Sequence, residues 1–176
     1  GRSGPDTPKL AFVCTGMGPQ WAQMCRGLLD VYPEFTASIE RTDRELSRHT
    51  DWSLIEELRR DDDTSRMAET EIAQPANFAI QIALAEQLRH FGIVPDAVIG
   101  HSAGEVAAHH LAGLLTFEQA VAVIYHRSRL QQRTTGWAAW SPSASAPKRC
   151  CRPLTPPVPG SSDTGCRSPR STARTP

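Results

Sequence analysis

The chain has 176 residues, a formal net charge of zero and 39% hydrophobic residues, which suits one domain with a buried core. No apolar run approaches the roughly eighteen residues of a membrane span, and the polar opening GRSGPDTPK does not resemble a secretory signal, so we expect a cytoplasmic protein. The five cysteines show no metal-ligand spacing, so we expect reduced thiols and no metal: Cys14, Cys25, Cys150, Cys151 and Cys166.

The first elements along the chain are a strand and then several helices. LAFVC, residues 10–14, is typical of a buried strand, and the glycines of TGMGPQW indicate a tight loop after it. A short helix is predicted over 52–60, and the charged stretch 59–71 is expected to be a solvated connection. Before these, two amphipathic helices are predicted from the apolar sets Trp21, Met24 and Leu28 and, after Pro33, Phe35, Ile39 and Leu46.

The longest predicted helix begins at Pro75, which suits a first helical turn, and ends at Gly92. We expect it to be buried on much of its surface. Its apolar stripe follows the i, i+4, i+8 spacing of Ile80, Leu84 and Leu88.

A second apolar strand, 97–100, leads into a helix predicted over 105–112. Another helix is predicted after Leu114, where Thr116 and Gln119 have the spacing of a capping box. The order of strand, helices, strand and helices predicts an α/β fold organised by a parallel sheet.

Between the second strand and its helix, residues 100–104 read Gly-His-Ser-Ala-Gly. In the G-x-S-x-G pattern a sharp turn exposes the serine hydroxyl, which makes Ser102 a candidate nucleophile. The alternative is an ordinary glycine turn with serine as a helix N-cap. An acyl intermediate also needs two N–H donors. Ala103 would supply one, and the loop 16–20 would supply the other unless it is a plain strand-to-helix connection.

A serine nucleophile needs a base, and no histidine is a convincing partner. His101 adjoins Ser102 but would leave the turn in another direction. His109 and His110 lie on the following helix, where facing solvent is the commoner role. In folds with this elbow the base usually lies on a later loop, yet no histidine follows His126.

Four ordered segments carry a specific resemblance. They are FVCTGMGPQWAQM, AQPANFAIQIALAEQL, VIGHSAGEVAAHHLAGLL and AVAVIYHRSRLQQRTTG. Over residues 9–136 the chain resembles the first half of the acyltransferase domain of type I polyketide synthases and animal-type fatty acid synthases. The resemblance implies an α/β-hydrolase-like large subdomain, incomplete here, with the ferredoxin-like small subdomain missing.

The resemblance also implies a reaction and its partners. Such domains move an acyl group, usually malonyl or methylmalonyl, from a coenzyme A thioester onto serine and then to the phosphopantetheine of an acyl carrier protein. Partners would be that carrier protein and adjoining synthase domains, with no nucleic acid and no membrane. A serine hydrolase with the same elbow and a non-catalytic interaction fragment are the alternatives.

By resemblance, Ser102 is the acyl-bearing nucleophile, and Met17 and Ala103 form the oxyanion hole. Arg127 holds the carboxylate of the acyl group, a role that suits a guanidinium fork because it can donate two parallel hydrogen bonds. The remaining matches are expected to line or support the site, although local hydrogen bonding explains each equally well: Gln20, Gln74 and His101.

The resemblance stops after Gly136. Residues 137–176 hold 6 basic residues and 1 acidic residue, a net charge of +5 against −5 for residues 1–136, and they contain 8 of the 14 prolines. Such a segment cannot bury a core. Codons for WAAWSP, read from their third base, can encode Gly-Gly-Met-Val-Ala, close to the glycine, methionine and strand expected next.

We therefore predict a linker over 1–8, a partial acyltransferase domain over 9–136, and a frameshifted, disordered tail over 137–176. A genuine basic linker is the alternative, and an intact reading frame through codon 137 in the DNA would contradict the frameshift. Because the family's base histidine lies in the missing part, we expect this chain to be inactive or nearly so. We also expect exposed apolar surface where sheet strands are lacking.

Overall fold

The computed structural model describes residues 9–134; the predicted linker 1–8 and tail 137–176 lie outside them. Within 9–134 the sheet has two parallel strands, β1 (Ala11–Cys14) and β2 (Ala97–Gly100), with Ala11 opposite Ala97 and Val13 opposite Ile99. Both predicted strands and their parallel pairing are confirmed, but the prediction that the first strand is buried is wrong within the described residues, because only Cys14 of β1 is buried. The helices of this part are α1 (Arg26–Leu29), α2 (Pro33–Leu46), α3 (Leu54–Arg59), α4 (Thr70–His90), α5 (Gly104–Leu111) and α6 (Phe117–Thr134).

The core lies where α2, α4 and α6 pack together. Phe35 and Ile39 of α2 are fully buried there, as predicted, and so are Phe78 of α4 and Ile124 of α6. Each such side chain contributes about 1.5–3 kcal/mol by leaving water. None of the helices within residues 9–134 is long and apolar enough to cross a membrane.

The helix predicted around Trp21 is wrong in position and length. Residues 22–25 form turns, and only the four residues of α1 are helical. Gln23 and Cys25 have positive φ values of 61° and 64°, a left-handed conformation that ends a right-handed helix. Trp21 consequently lies exposed, whereas Met24 is buried.

Helix α4 begins five residues earlier than predicted, and Pro75 lies inside it. Its first N–H groups are satisfied from another helix, since Gln132 Oε1 of α6 accepts from the N–H groups of Thr70 at 2.6 Å and Glu71 at 3.3 Å. Because Gln132 lies 62 residues after Thr70, the sequence around Thr70 does not indicate that the helix begins there. The predicted stop is confirmed, because Gly92 follows the helix with φ of 79°.

Most of α4 is buried, as predicted, but its Ile80, Leu84 and Leu88 stripe does not form the buried face. Ile80 is buried, but Leu84 is exposed and Leu88 is half-buried. The buried face instead carries Ile72, Phe78 and Ile82. The wide buried surface of this helix makes its periodicity a poor guide to which side faces the core.

The stretch 59–71 is more structured than a solvated loop. Asp62–Thr64 form a 3₁₀ turn and Met67 is buried. Arg66 contacts the carboxylates of Glu69 at 2.8 Å and of buried Glu57 at 3.2 Å. The hydrogen bond to Glu69 is the largest cause of the raised pKa of Arg66. The charges of this segment therefore anchor it against α3.

The two helices that follow β2, α5 and α6, match their predictions closely. Helix α5 begins one residue before the predicted 105–112. At the start of α6, Gln119 Oε1 accepts from the Thr116 N–H at 2.9 Å, and Thr116 Oγ1 accepts from the Gln119 N–H at 3.2 Å. This reciprocal pair is the predicted capping box.

Candidate active site

Ser102 lies on a sharp turn between the end of β2 and the start of α5. Its φ of 54° is left-handed, a conformation that costs energy for a residue with a side chain. A Cβ on Gly100 would lie 2.5 Å from the Glu105 Cα, and one on Gly104 would lie 2.5 Å from the Thr15 carbonyl oxygen. Both flanking positions therefore require glycine. The predicted elbow is present, and its serine side chain is not the N-cap of α5.

The hydroxyl of Ser102 contacts a guanidinium group. Nη2 of Arg127, on α6, donates to Ser102 Oγ at 3.0 Å. Since the serine oxygen accepts this bond, its own proton stays available to a base. Ser102 is exposed, and Arg127 is half-buried.

Arg127 is held in place by two glutamines. Its Nη1 donates to Oε1 of Gln74, a fully buried residue of α4, and reaches Gln131 Oε1 at 3.3 Å. Gln74 Nε2 in turn donates to Gln131 Oε1 at 2.8 Å and to the Met17 sulfur at 3.2 Å. Gln131 was missed from the sequence, although its i, i+4 spacing from Arg127 could have indicated the contact.

The loop after β1 lies directly against the elbow. A Cβ on Gly16 would lie 3.1 Å from the His101 carbonyl oxygen and 3.2 Å from the Ser102 Cβ, so the absence of a side chain allows this approach. Within residues 9–134 the backbone N–H groups of Met17 and Ala103 donate no hydrogen bond. They are the two donors expected for the oxyanion.

Gln20 and His101 make local contacts. Gln20 Oε1 accepts from the Gly18 N–H at 2.7 Å, which holds the loop in its turn. The His101 N–H donates to the Cys14 carbonyl at 3.0 Å, continuing the strand pairing. These bonds fit the supporting role given as the alternative, and a direct role in binding stays a prediction.

Among the described residues, no histidine is hydrogen-bonded to Ser102. His109 Nδ1 lies 2.6 Å from the Glu105 carbonyl oxygen, and His110 Nδ1 lies 3.1 Å from that of Leu115. Both rings are thus engaged by backbone near their own helix. His109 lines the same groove as Ser102, but none of the histidines within residues 9–134 is in position as its base by a hydrogen bond to the hydroxyl.

Ser102 and Arg127 open into a shared groove of about 320 Å³, and five further residues line it: Glu105, Val106, His109, Leu115 and Val123. A larger cavity of about 700 Å³ lies between the end of α2 and α6, but it does not include Ser102. Of these two, the smaller groove is therefore the candidate site for chemistry at Ser102. Three apolar side chains and the guanidinium group of Arg127 suit a short acyl chain with a terminal anion, although Glu105 and His109 line the same groove.

A serine elbow at the end of a parallel strand defines an α/β protein of the acyl-transferring or acyl-hydrolysing class. The chain belongs to the acyltransferase domain family, whose sequence profile, described as Acyl transferase domain, matches residues 11–171. The profile match therefore extends past residue 136, the predicted end of the acyltransferase part. The alignments to individual relatives are shorter, at 121 to 131 residues.

The similar full-length proteins are synthases of many domains. The chain is 48% identical over 121 residues to the highly reducing polyketide synthase sdnO of Sordaria araneosa, an alignment covering 68% of this chain and 4% of that protein. It is 43% identical over 124 residues to the pikromycin polyketide synthase component PikAIII of Streptomyces venezuelae, covering 70% of this chain and 8% of the relative.

Solved acyltransferases share the fold. The loading acyltransferase of the avermectin modular polyketide synthase matches with a TM-score of 0.67 and 37% identity, over 70% of this chain and 39% of that one. The malonyl-CoA:ACP transacylase of Synechocystis sp. PCC 6803 matches with a TM-score of 0.63 and 30% identity, over 72% of this chain and 41% of the transacylase. The α/β acyltransferase fold is thus confirmed, and the chain spans less than half of these proteins.

Proposed function

We propose that this chain is part of an acyltransferase domain that moves a malonyl- or methylmalonyl-type group from coenzyme A to a carrier protein through an ester on Ser102. The observation that carries the proposal is the hydrogen bond from Arg127 Nη2 to Ser102 Oγ. The guanidinium group lies within hydrogen-bond distance of the nucleophile's oxygen, which supports a site for an acyl group that carries its own carboxylate. A hydrolase of neutral esters has no need of this charge.

Arg127 reads the carboxylate of the acyl group. When the acyl chain enters, its carboxylate replaces Ser102 Oγ as an acceptor and receives charge-assisted hydrogen bonds from the guanidinium fork. The contacts from Gln74 and Gln131 keep that fork aimed at the elbow. Orientation fixed before binding lowers the entropic cost of forming the complex.

The chemistry at Ser102 is nucleophilic acyl transfer. The Oγ–H bond breaks as Oγ bonds to the thioester carbon, and the N–H groups of Met17 and Ala103 stabilise the tetrahedral oxyanion. The C–S bond then breaks, and coenzyme A leaves as a thiol with the proton that a base took from Ser102. In the second half, the phosphopantetheine thiol of the carrier protein attacks the ester and restores the serine.

The described part of the chain supplies the nucleophile, the oxyanion donors and the cation, but not the base. Loss of the base from a serine enzyme lowers the rate by about 10⁴–10⁶-fold, while oxyanion stabilisation and binding retain a remnant. We therefore propose that the chain alone acylates very slowly, in the cytoplasmic setting expected from its sequence.

The test uses the full 176-residue chain with malonyl-CoA and imidazole as an external base, followed by peptide mass spectrometry. We expect a malonyl adduct on Ser102 that grows with imidazole and transfers to a phosphopantetheinylated carrier protein. Ser102→Ala should abolish the adduct, and Ser47→Ala, a change at an exposed serine that directly follows α2, should leave it unchanged. Release of free malonate without carrier transfer would favour a hydrolase, and an adduct retained in Ser102→Ala would contradict the proposal.

A further inference from the structure

The carbonyl group of Thr15, directly after β1, is held by a side chain from α4. Nε2 of Gln81 donates to the Thr15 carbonyl oxygen at 2.8 Å and lies 3.2 Å from Thr15 Oγ1. Gln81 is half-buried, whereas Thr15 is exposed. The two residues are 66 positions apart in the chain, so this contact ties the start of the loop to a helix from another part of the fold.

The same carbonyl lies against the serine elbow. A Cβ on Gly104 would be 2.5 Å from the Thr15 carbonyl oxygen. The preceding carbonyl, that of Cys14, accepts from the His101 N–H at 3.0 Å. Two consecutive carbonyl groups beside the elbow are thus fixed by hydrogen bonds, one from the elbow itself and one from Gln81.

The Thr15 carbonyl limits the direction of an oxyanion donor. Because a peptide unit is planar, the Thr15 C=O and the Gly16 N–H rotate together, and the Met17 N–H belongs to the next peptide unit. Gly16 between them has no side chain to restrict its dihedral angles. A hydrogen bond that fixes the Thr15 carbonyl therefore orients the Met17 N–H before an acyl group arrives, which is what stabilisation of an oxyanion requires.

Gln81 lies on the same face of α4 as Gln74. The two glutamines are seven residues apart, close to two helical turns. Gln74 contacts Arg127 and the Met17 sulfur. One face of a buried helix thus holds both the cation and the oxyanion loop, and a helix positions such groups more precisely than a loop can alone.

The Gln81 amide is bonded at one end only. Its Oε1 is buried and has no hydrogen-bond partner within residues 9–134, although buried polar atoms are normally paired. The unpaired acceptor lowers the net stability that this side chain provides. The contact from Nε2 to the loop is the interaction that remains.

We propose that Gln81 is a positioning residue for acyl transfer: its Nε2 holds the Thr15 carbonyl so that the Met17 N–H faces the oxyanion formed at Ser102. This inference rests on the proposed function, because that oxyanion forms only when Ser102 is acylated. Among the described residues no hydrogen bond joins Gln81 to Ser102, so its effect passes through the loop.

The kinetic test compares Gln81→Met, which keeps the length of the side chain but has no donor, with Gln81→Lys, which keeps a donor. Ser102 of the full chain is acylated with imidazole as an external base, and peptide mass spectrometry follows the adduct. The acyl source is either malonyl-CoA or p-nitrophenyl acetate, a neutral ester without a carboxylate.

Gln81→Met should lower the rate at saturating malonyl-CoA by about tenfold to hundredfold, because a displacement of about 1 Å at a catalytic group has an effect of this size. The rate with p-nitrophenyl acetate should fall by a similar factor. The malonyl-CoA concentration that gives half the maximal rate should stay the same, since Arg127 still binds the carboxylate. Gln81→Lys should recover most of the lost rate.

Gln87→Met is the matched control on the same helix. Gln87 is buried, and its Oε1 accepts from the Phe35 N–H at 3.2 Å, away from the loop. This change should lower the midpoint of urea unfolding and leave both acylation rates unchanged. Gln81→Met should show the opposite pattern, whereas a merely structural role for Gln81 would give the pattern of Gln87→Met.

NMR spectroscopy adds a readout that needs no catalysis. In the unaltered chain a hydrogen-bond coupling should join Gln81 Nε2 to the Thr15 carbonyl carbon. The Met17 N–H should give one sharp signal, which broadens or splits in Gln81→Met and recovers in Gln81→Lys. The coupling reports the contact even if a variant fails to fold.

The outcomes separate positioning from the reaction itself. No coupling, a Met17 signal that Gln81→Met leaves unchanged, unchanged rates in Gln81→Met, or equal losses in Gln81→Met and Gln81→Lys would overturn the positioning role. Acylation by p-nitrophenyl acetate but not by malonyl-CoA, with the first rate lowered in Gln81→Met, would uphold positioning and overturn the proposed function. If neither reagent acylates Ser102, the proposed function fails, and the Met17 signal decides whether Gln81 orients the loop.

Discussion

The helical layer and the sheet of this chain differ in how far their contacts are completed within residues 9–134. Helix α4 is covered by α2 and α6, and Gln132 of α6 even caps its first turn. The sheet is covered by α5 on one face, whereas Val13 and Ile99 face outward on the other. The contacts of a buried helix can thus be completed by helices from the same stretch of chain. A parallel sheet instead needs strands that are distant in the sequence, because each parallel pair requires a long crossover connection.

Truncating a core side chain should show this contrast most strongly. Phe35→Ala, at a fully buried site on α2, is expected to lower the free energy of unfolding by about 3–5 kcal/mol, because it leaves a cavity among packed helices. Val13→Ala on the outward face of the sheet should change it by about 0.5 kcal/mol or less. Urea unfolding of both variants measures the difference, and equal losses would mean that the sheet face is covered in solution.

Arg127 joins the two regions, since it reaches from the helical layer to the elbow. Arg127→Ala is expected to reduce malonyl loading of Ser102 with imidazole by about tenfold to hundredfold, the effect of losing about 1.5–3 kcal/mol from hydrogen bonds to a charged group. Loading from acetyl-CoA, which has no carboxylate, should change much less. Arg127→Lys should recover only part of the loss, because an ammonium cannot form the bidentate fork.

Arg129→Ala is the control for that series. Arg129 contacts the Tyr125 hydroxyl at 2.9 Å, on another side of α6 from Ser102. Its loss should leave both loading rates unchanged. Equal effects of Arg127→Ala on malonyl and acetyl loading would contradict the role of Arg127 as the carboxylate contact.

The cap that α6 provides to α4 should have a smaller but measurable effect on stability. Gln132→Ala leaves the N–H groups of Thr70 and Glu71 without their acceptor, and we expect a loss of about 1–2 kcal/mol, typical of a removed helix cap. Arg133→Ala, at an exposed neighbouring position, should stay within about 0.5 kcal/mol of the unaltered chain. If urea unfolding gives the same small change for both, the cap is not a stabilising contact.

The smallest expected effect concerns Glu118 in the first turn of α6. A hydrogen bond from its own backbone N–H, and then one from the Thr116 hydroxyl, lower the pKa of this carboxyl. A lowered folded-state pKa stabilises the fold above the ordinary carboxyl range, and that contribution is lost as the pH falls through the folded-state pKa. Glu118→Gln should therefore flatten the acid side of a stability curve, and an identical curve would contradict the contribution.

Sequence patterns predicted the elements whose determinants are local. The strands 11–14 and 97–100, the elbow at Ser102 and the capping box at Thr116 all follow from residues near one another in the chain. The start of α4 could not be predicted in this way, because it depends on Gln132, 62 residues after Thr70.

The residues of the candidate site likewise fall into those set by a local motif and those set by distant packing. Ser102 and the glycines around it are a local motif, whereas the position of Arg127 beside the hydroxyl depends on how α6 packs against α4. Without the family resemblance, Arg127 is one of several arginines on an amphipathic helix. Gln131 shares its network and was not predicted, because its i, i+4 spacing from Arg127 becomes informative only once Arg127 is assigned to the site.

The most direct test of the account is the initial rate at which malonyl-CoA acylates Ser102 in the full chain, measured with and without imidazole. Without imidazole we predict little or no adduct over the minutes in which a complete acyltransferase is fully loaded, and with imidazole a rate that rises with its concentration. Fast, complete acylation of Ser102 in the absence of imidazole would contradict the central claim that this serine and its arginine lack their base.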